Sequence, residues 1–328
     1  MTLCKSGYII QTSKTTTPLK PELNKYTILF KRRIYTVKGV TTMKKLIALA
    51  LTLALTLSMV ACGGSEPKAD EPAVETLKVA ISPDFAPMEF VDLSKTGQDQ
   101  YVGFDVSLAK YIAAEMGKEL EICPMSFDAC QVAVSTGKVD MSISGFSYTP
   151  ERAENYNLSD YYYAGDNETE QTVIALKENA AKFTSAESFA GVKVGAQTAS
   201  LQEALVNDQL VPMGAELVIF SDINTGVLQL KKGDFEAIAV ATGNGDAIAA
   251  NNPEVVVTDF TFEVDEAAEN NLILLQKGAD ELTEQVNAIL AKAYDAGLYG
   301  EWYAEAEALA GIDTAADVSY DEDGNVAQ

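Results

Sequence analysis

Histidine is absent from this chain of 328 residues, cysteine occurs four times and tryptophan once. Without histidine, the chain has no Ser-His or Cys-His pair that could activate a nucleophile. Cysteine cannot complete a tetrahedral zinc site either, because only Cys123 and Cys130 lie beyond the amino-terminal segment. We therefore expect no catalytic triad, no metal and no cofactor.

Basic residues are also scarce, with 24 Lys and Arg against 48 Asp and Glu. Ten of the basic residues and only one acidic residue, Glu22, precede residue 62, so the remaining chain carries 14 basic and 47 acidic residues, a net charge of −33. Nucleic-acid binding needs basic patches, which such a surface does not supply. The charge does not indicate the sign of a small ligand.

The amino-terminal segment has the pattern of a bacterial export signal. Residues 1–42 are basic and rich in threonine, and we interpret them as an extension outside the native protein, with translation starting at Met43. Residues 43–61 give a basic start, an apolar run and a small residue, as in a lipoprotein signal peptide, so that Cys62 becomes the lipidated first residue. A plain transmembrane anchor is the alternative, although the apolar run is short for a membrane span.

The rest of the chain alternates strand-like and helix-like segments between a polar tether, residues 62–76, and an acidic tail interpreted as disordered, residues 311–328. This part is too long for one core, and the alternation predicts an α/β fold with parallel sheets in two lobes. A repeated pattern, which we call the internal echo, supports two related lobes: Gly137–Asp140 and Gly233–Glu236 each begin with glycine, end with an acidic residue and lie at the start of a predicted strand. Strands are expected at 77–81, 120–123, 139–143, 172–176, 192–196, 217–220, 237–240 and 272–276.

The decapeptide from Ile143 to Arg152 joins a predicted strand to a predicted helix. Thr149 suits the helix N-cap, and Pro150 suits the first helical position. Open α/β sheets hold ligands at such strand ends. The planar guanidinium of Arg152 would bind a carboxylate through two hydrogen bonds, which Lys cannot do. An ordinary loop with a surface Arg-Glu pair is the alternative for this segment taken alone.

This decapeptide resembles the fingerprint of the polar amino-acid-binding proteins of ABC importers, the family 3 solute-binding proteins. Four further segments are similar to the family's motifs in order and spacing: Leu77–Ile81, Gly103–Val106, Gly137–Asp140 and Leu158–Tyr162. The resemblance runs from about Leu77 to Leu309. It implies a two-lobed periplasmic-binding-protein-like fold of type II, each lobe a mostly parallel sheet flanked by helices, with two hinge crossings. Lobe 1 is then expected at 77–165 and 268–310, and lobe 2 at 171–259.

The resemblance also implies a function, which is capture of a small amino acid between the lobes and delivery to an ABC permease and its ATPase. The protein would be a monomer, lipid-anchored on the outer face of the cytoplasmic membrane, and not an enzyme. Two alternatives share the fold. One is a cleft enzyme similar to cyclohexadienyl dehydratases, with Asp84 or Glu89 as its carboxylate, and the other is a sensor that reports ligand to a membrane kinase.

The ligand-binding residues implied by the resemblance come from both lobes. In lobe 1, two aromatic side chains would sandwich the ligand, the decapeptide loop would bind its ammonium through the Gly145 carbonyl and the Ser147 hydroxyl, and Arg152 would bind its carboxylate. In lobe 2, a helix start would close onto that carboxylate, with a routine helix cap as the alternative. The residues concerned are Phe85, Phe127, Ser144, Gly145, Ser147, Arg152, Ala199 and Ser200.

The sequence departs from the family at the third ammonium acceptor. Ala241 stands where the family carries an aspartate, so Asp246 or Asn244 is expected to reach in from a glycine-rich turn, or else the ligand lacks a free ammonium. Ser82 occupies the place where members selective for basic side chains often carry an aspartate. We therefore expect a neutral or polar amino acid. Cys123 and Cys130 are expected either as a disulfide or as free thiols.

Overall fold

The computed structural model describes residues 74–162, 170–268 and 270–311. The amino-terminal extension, the signal peptide, Cys62 and most of the tether lie outside these residues, as does the chain from residue 312. None of the described helices is long and apolar enough to cross a membrane.

The chain first builds most of a five-stranded sheet, which we call lobe 1 together with its flanking helices. A small antiparallel sheet of β2, β3 and β4, which the sequence did not predict, adjoins it. Only glycine fits at position 103, immediately before the first long helix, because an added Cβ would lie 2.3 Å from the Met88 carbonyl oxygen. The elements of this part are β1 (Thr76–Ile81), β2 (Asp84–Phe85), β3 (Glu89–Val91), β4 (Tyr101–Val102), α1 (Phe104–Glu115), β5 (Glu119–Pro124), α2 (Phe127–Ser135), β6 (Met141–Ser147), α3 (Pro150–Asn155) and β7 (Tyr156–Leu158).

The chain then builds a second five-stranded sheet with its own helices, which we call lobe 2. A short 3-10 helix, Ala186–Phe189, lies between the first two strands of this sheet. The elements are β8 (Gln171–Leu176), α4 (Lys177–Ala180), β9 (Lys193–Gln197), α5 (Leu201–Leu205), β10 (Glu216–Phe220), α6 (Ile223–Lys232), β11 (Ala237–Ala241), α7 (Thr242–Asn251) and β12 (Val255–Thr261).

The chain finally returns to lobe 1 and completes it. Strand β13 (Asn271–Gln276) enters the first sheet, and helices α8 (Asp280–Asp295) and α9 (Leu298–Ala310) pack beside it. The two chain crossings touch each other, since the Tyr162 N–H donates to the Asn271 carbonyl over 3.0 Å. Two lobes joined by two adjacent crossings are the expected architecture.

Each sheet is mixed rather than mostly parallel. The first has the order β5-β1-β6-β13-β7 and the second β10-β9-β11-β8-β12. In each sheet two pairings are parallel and two are antiparallel. Every antiparallel pairing involves β8 or β13. Each of these strands comes directly after a chain crossing and runs antiparallel to the strands on either side of it.

Hydrophobic side chains cover both faces of each sheet, as a sheet flanked by helices requires. In β1, Leu77, Val79 and Ile81 pack in one cluster with α1, α8 and α9, while Ala80 packs on the other face with α2. Lobe 2 has two corresponding clusters, one on each face of its sheet. The four clusters hold the strand ends of both lobes in place.

The internal echo seen in the sequence has a structural counterpart. In lobe 1 the Asp140 carboxylate accepts from the Lys78 N–H over 2.7 Å, and the Asp140 N–H donates to the Lys78 carbonyl. In lobe 2 Glu236 and Lys193 make the same two contacts, with the carboxylate bond at 2.8 Å. The acidic residue before the strand thus joins neighbouring strands in the same way in both lobes.

One segment differs from expectation. Residues 242–246 are not a glycine-rich turn but the start of α7, because Gly245 lets this helix pack tightly on the sheet. An added Cβ there would lie 3.0 Å from Ile174 and 3.1 Å from Val257. Cys123 and Cys130 are free thiols, which is one of the two alternatives expected for them, and burial raises the pKa of Cys130 to about 12.

Candidate functional site

The candidate site lies where the carboxyl ends of strands from both lobes face each other. Residues at the carboxyl ends of β1 and β6 line the site from lobe 1, and residues at the carboxyl ends of β9, β10 and β11 line it from lobe 2. The cavity between them has a volume of about 30 Å³, so an amino acid requires the lobes or their side chains to move. Its wall is formed by Asp84, Phe85, Phe127, Ser144, Gly145, Ser147, Arg152, Gln197, Ser200, Leu201, Gln202, Ile223, Ala239, Val240 and Asn244.

Arg152 is the buried cation of this cavity. Thr149 caps α3 by accepting from the Arg152 N–H over 3.1 Å, which sets the side chain at the edge of the cleft. The guanidinium donates from Nη1 to the Ser147 carbonyl over 2.7 Å, and from Nη2 across the cleft to the Ala199 carbonyl over 3.0 Å. Burial lowers the pKa of Arg152 to about 10, so the group stays charged at neutral pH.

Aromatic rings support the guanidinium and form part of the cavity wall. The Arg152 guanidinium carbon lies 5.6 Å from the centre of the Phe127 ring and 5.2 Å from that of Phe146. These distances are within the range of cation–π attraction. Phe85 lies against the backbone of Gly145, where an added Cβ would be 2.8 Å from the ring, and Gly145 itself has a φ of +54°. Glycine is therefore required at this point of the loop.

Asp84 is the buried anion of the cavity, with 8% of its surface exposed. Its Oδ2 accepts across the cleft from the Ile223 N–H at the start of α6, over 2.7 Å, and from Gln197 Nε2, over 3.1 Å. Its Oδ1 accepts from the Ser82 hydroxyl over 2.8 Å. Burial outweighs the bonds from Ile223 and Ser82 and raises the pKa of Asp84 to about 6, with the charge of Asp222 adding to the rise.

Asn244 has an acceptor atom in the wall without a hydrogen-bond partner among the described residues. Its Nδ2 donates across the cleft to the Ala86 carbonyl over 2.9 Å, which fixes the orientation of the amide. Its Oδ1 is buried and receives no hydrogen bond from the described residues. A buried acceptor of this kind is costly unless a ligand donates to it.

The cavity therefore combines one cation, one anion, aromatic and aliphatic walls, and polar acceptors. A zwitterion with an apolar stem matches this combination. No cluster of acidic, cysteine or histidine side chains suited to a metal occurs among the described residues.

Comparison with known proteins gives the family. The model of the bacterial extracellular solute-binding proteins, family 3, matches residues 77–305. This chain belongs to that family.

Similar members of the family include named amino-acid-binding proteins. An arginine-binding extracellular protein of Bacillus subtilis is 28% identical, over 78% of this chain and 94% of its own. A probable histidine-binding protein of Campylobacter jejuni is 31% identical, over 77% of this chain and 99% of its own. A solved amino acid ABC transporter substrate-binding protein of Streptococcus pneumoniae, bound to L-arginine, is 34% identical with a TM-score of 0.66, covering 73% of this chain and 97% of its own.

Within this family 3 chain, most of the residues singled out from the sequence lie together at the cavity. Eight of the ten line its wall: Phe85, Phe127, Ser144, Gly145, Ser147, Arg152, Ser200 and Asn244. Ala199 lies beside the cavity and has a φ of +61°. Its carbonyl oxygen accepts a hydrogen bond from Arg152. Ser200 caps the five-residue helix α5, since its Oγ accepts from the Glu203 N–H over 3.1 Å.

Asp246 is not brought to the cavity wall. It lies two residues after Asn244 on α7, about 200° further around the helix, and so points elsewhere. It is half-buried, and burial followed by the charge of Glu170 raises its pKa. Of the two residues expected to replace the missing aspartate, Asn244 alone lines the cavity.

Several wall residues have no predicted role in amino-acid binding. Asp84 had been considered only as an enzyme carboxylate, although its position after β1 at the sheet edge is a signal for the site. Gln197 and Ile223 likewise follow predicted strands of lobe 2. Gln202 and Leu201 carry no such signal, because a five-residue helix is hard to orient from sequence.

Proposed function

We propose that this protein captures an amino acid outside the cytoplasm and delivers it to an ABC permease, with the ligand carboxylate bound by Arg152. The observation that supports this proposal most directly is the buried guanidinium of Arg152. It donates to two neutral carbonyl oxygens and takes part in none of the ion pairs among the described residues. A carboxylate would supply the missing countercharge through two charge-assisted hydrogen bonds.

We further propose that the ligand is a basic amino acid, with arginine the first candidate. The expectation of a neutral ligand rested on Ser82, whereas the acid available to the cavity is Asp84, two residues further along. Its raised pKa reflects a carboxylate whose burial is not offset by a cation, and a guanidinium would offset it. Relatives named for arginine and histidine support this choice over the neutral class.

Asn244 takes the place of the missing aspartate at position 241 in this proposal. Its Oδ1 accepts from a cationic N–H of the ligand, together with the Gly145 carbonyl and the Ser147 hydroxyl. An amide acceptor carries no charge, so it gives a weaker contact than a carboxylate but needs no countercharge when the ligand leaves.

Binding is coupled to closure of the lobes. Six hydrogen bonds join the two lobes among the described residues: Arg152 to Ala199, Gln131 to Ala199, Ile223 to Asp84, Gln197 to Asp84, Asn244 to Ala86 and Asn251 to Ala310. A ligand held by both lobes adds contacts that exist only when the lobes are together, so it shifts the hinge toward the closed state. The closed protein is the form that meets the permease.

The test compares two ligands that differ in charge but little in shape. Arginine and its neutral isostere citrulline are titrated by calorimetry into the wild type and into Asp84→Asn. We expect the wild type to prefer arginine, and the variant to lose most of that preference while keeping its affinity for citrulline. Glutamine is titrated in parallel because it represents the neutral class. Equal binding of arginine and citrulline by the wild type would reject the basic ligand. A failure of every amino acid to bind would reject amino-acid capture.

The enzyme alternative meets an obstacle in both of its carboxylates. Glu89 is fully buried and does not reach the cavity wall, and both oxygens of Asp84 already accept hydrogen bonds from protein donors. Binding without turnover is the simpler function for this arrangement. Product formation from a prephenate-like acid would contradict it.

Lipid anchoring belongs to the same proposal and rests on the sequence around Cys62, outside the described residues. Replacing Cys62 by Ser should release the protein into the medium or leave it unprocessed. A Cys62→Ser variant that is still processed and fractionates with membranes like the wild type would overturn the anchor.

A further inference from the structure

Two buried carboxyl groups lie directly behind the binding loop and take no part in the cavity wall. Glu89 on β3 and Asp105 at the start of α1 are both fully buried. Each contacts one of two adjacent loop residues, Ser144 and Gly145, which do line the cavity. Burying two acids side by side is costly, so their presence at this point needs a physical reason.

The outer oxygens of both groups are fully used. The Ser144 hydroxyl donates to Glu89 Oε1 and accepts from the Ser82 N–H over 3.0 Å. Asp105 Oδ2 accepts from the Gly145 N–H over 2.9 Å and from the Tyr162 hydroxyl over 3.1 Å. The two acids thus connect the loop after β1, the binding loop of β6 and the first chain crossing.

The inner oxygens explain how two acids can be neighbours. Glu89 Oε2 and Asp105 Oδ1 are buried, and neither has an N–H or O–H donor among the described residues. The charge of Asp105 raises the pKa of Glu89, so the two carboxyl groups are close enough to interact, and a proton on one of them would let it donate to the unpartnered inner oxygen of the other. A single shared proton satisfies both inner oxygens, removes the repulsion of two anions and leaves Asp105 as the acceptor for Gly145.

We propose that Glu89 and Asp105 form a positioning pair that shares one proton and holds Ser144 and Gly145 in the conformation that receives the ligand. The pair touches no ligand atom and acts through the loop. The effect on affinity rests on the proposed function, since it needs an amino acid in the cavity, whereas the shared proton does not.

The surroundings of the pair fix the pH range in which it holds one proton. Burial first, and then the charge of Asp105, raise the pKa of Glu89 well above its ordinary value, with Asp84 of β2 adding to the rise. Burial raises the pKa of Asp105 to about 6, opposed by the bonds from Gly145 and Tyr162. Tyr162, from the crossing, stays protonated because burial and both acids raise its pKa. Above the pKa of Asp105 the pair therefore carries one proton, which it loses as the pH rises through the raised pKa of Glu89.

Glu89→Gln tests the shared proton directly. The amide Nε2 donates to Asp105 Oδ1 as the shared proton does, its Oε1 still accepts from Ser144, and it cannot ionise. We expect the arginine Kd of this variant to lie within about threefold of wild type at pH 7. As the pH rises, the wild-type Kd should weaken by up to about tenfold per pH unit once the pair loses its proton, and the variant should not follow. Titration of the ligand's own ammonium affects both proteins equally, so the ratio of the two Kd values isolates the pair.

Two matched variants separate this role from simple packing. Glu89→Met keeps the side-chain length but cannot donate or accept there, and should weaken arginine binding at least about tenfold at pH 7. Tyr162→Phe removes one donor to Asp105 but keeps the acid pair, and should retain the alkaline weakening seen in wild type. A Tyr162→Phe profile as flat as that of Glu89→Gln would contradict the assignment.

A second readout needs no ligand. A carboxyl whose folded pKa is raised stabilises the fold at low pH, and this stability is lost as the pH rises through the folded value. Urea unfolding as the pH rises above 4.5, the ordinary value of a glutamate, should therefore show wild-type stability falling relative to Glu89→Gln. If these curves diverge but arginine binds neither protein, the pair stands and the proposed function fails. If arginine binds both with one pH profile and the unfolding curves coincide, the positioning pair is overturned.

Discussion

Arg152 shows why the residue type matters at this position. It is the only arginine after residue 33, and its side chain joins two lobes while stacking beside two rings. A guanidinium is weakly hydrated and planar, so it tolerates this dry setting and presents parallel N–H groups to a carboxylate. A lysine ammonium carries the same charge but lacks the two parallel N–H groups. It is also more strongly hydrated, so its burial costs more free energy.

Arg152→Lys should therefore weaken amino-acid binding by about 2–5 kcal/mol, because the ligand carboxylate is then buried with an incomplete partner. The free energy of unfolding should change less, since the charge is retained. Calorimetry and urea unfolding measure the two quantities. Gln131→Ala is the control, as it removes another donor to the same Ala199 carbonyl but no charge, and we expect a loss below about 1 kcal/mol. Undiminished affinity in Arg152→Lys would exclude the carboxylate role.

At the residue scale, sequence reasoning was accurate where a local pattern fixed the side chain's direction. Arg152, Gly145 and Ser147 follow one strand and one capped turn, so their placement at the cavity follows from those elements. Asn244 and Asp246 could not be separated, because a glycine-rich stretch was interpreted as a turn rather than a helix. In a helix, residues two apart point to different sides, and that geometry alone excludes Asp246 from the wall.

Helix α3 is the element that links the fold to the ligand. It has six residues and packs few side chains, so its first turn depends on the Thr149 cap and on Pro150. The capping bond is made to the backbone N–H of Arg152 itself, so loss of the cap loosens the residue that carries the proposed carboxylate contact.

Thr149→Ala should lower the free energy of unfolding by about 0.5–2 kcal/mol, the usual effect of losing an N-cap. Ligand affinity should fall as well, because Arg152 is held less firmly. Thr149→Ser keeps the capping oxygen and serves as the control for the lost methyl group. Unfolding curves and calorimetry on both variants test the link. Equal stability and affinity in Thr149→Ala and wild type would show that Pro150 and packing suffice.

Element boundaries were predictable where caps or apolar runs marked them. Helix α6 has a clear signal at each end, since Asp222 caps it and Gly233 ends it in the left-handed conformation. Helix α7 was missed because its glycines disfavour a helix in isolation, by about 1 kcal/mol each. Tertiary packing overrides that preference, as Gly245 lies against three aliphatic side chains. The small sheet of β2 to β4 was missed because two- and three-residue strands leave too short a pattern to detect.

On the scale of the whole molecule, acidity and lobe closure are connected. The chain beyond residue 61 carries a net charge of −33, so self-repulsion opposes compact states and weakens as salt rises. Within that field, Asp84 places a carboxylate at the contact between the lobes, at the amino end of α6. Closure therefore buries a carboxylate, and this burial is the main physical cause of its raised pKa, with the charge of Asp222 adding to it.

This connection predicts how stability depends on pH. Because the folded pKa of Asp84 is about 6 against an ordinary value of 3.8, its contribution is complete below pH 4 and is lost as the pH rises through 6. The shift corresponds to a loss on the order of 3 kcal/mol. Asp84→Asn cannot ionise, so its stability should fall less than that of wild type between pH 4 and pH 7, and the decline that remains should come from other carboxyl groups with raised pKa values, chiefly Asp105 and Glu89. Urea unfolding at fixed ionic strength across this range gives both curves. Parallel curves for the two proteins would mean that Asp84 titrates as an ordinary exposed carboxylate, and that the lobes do not bury it when they close.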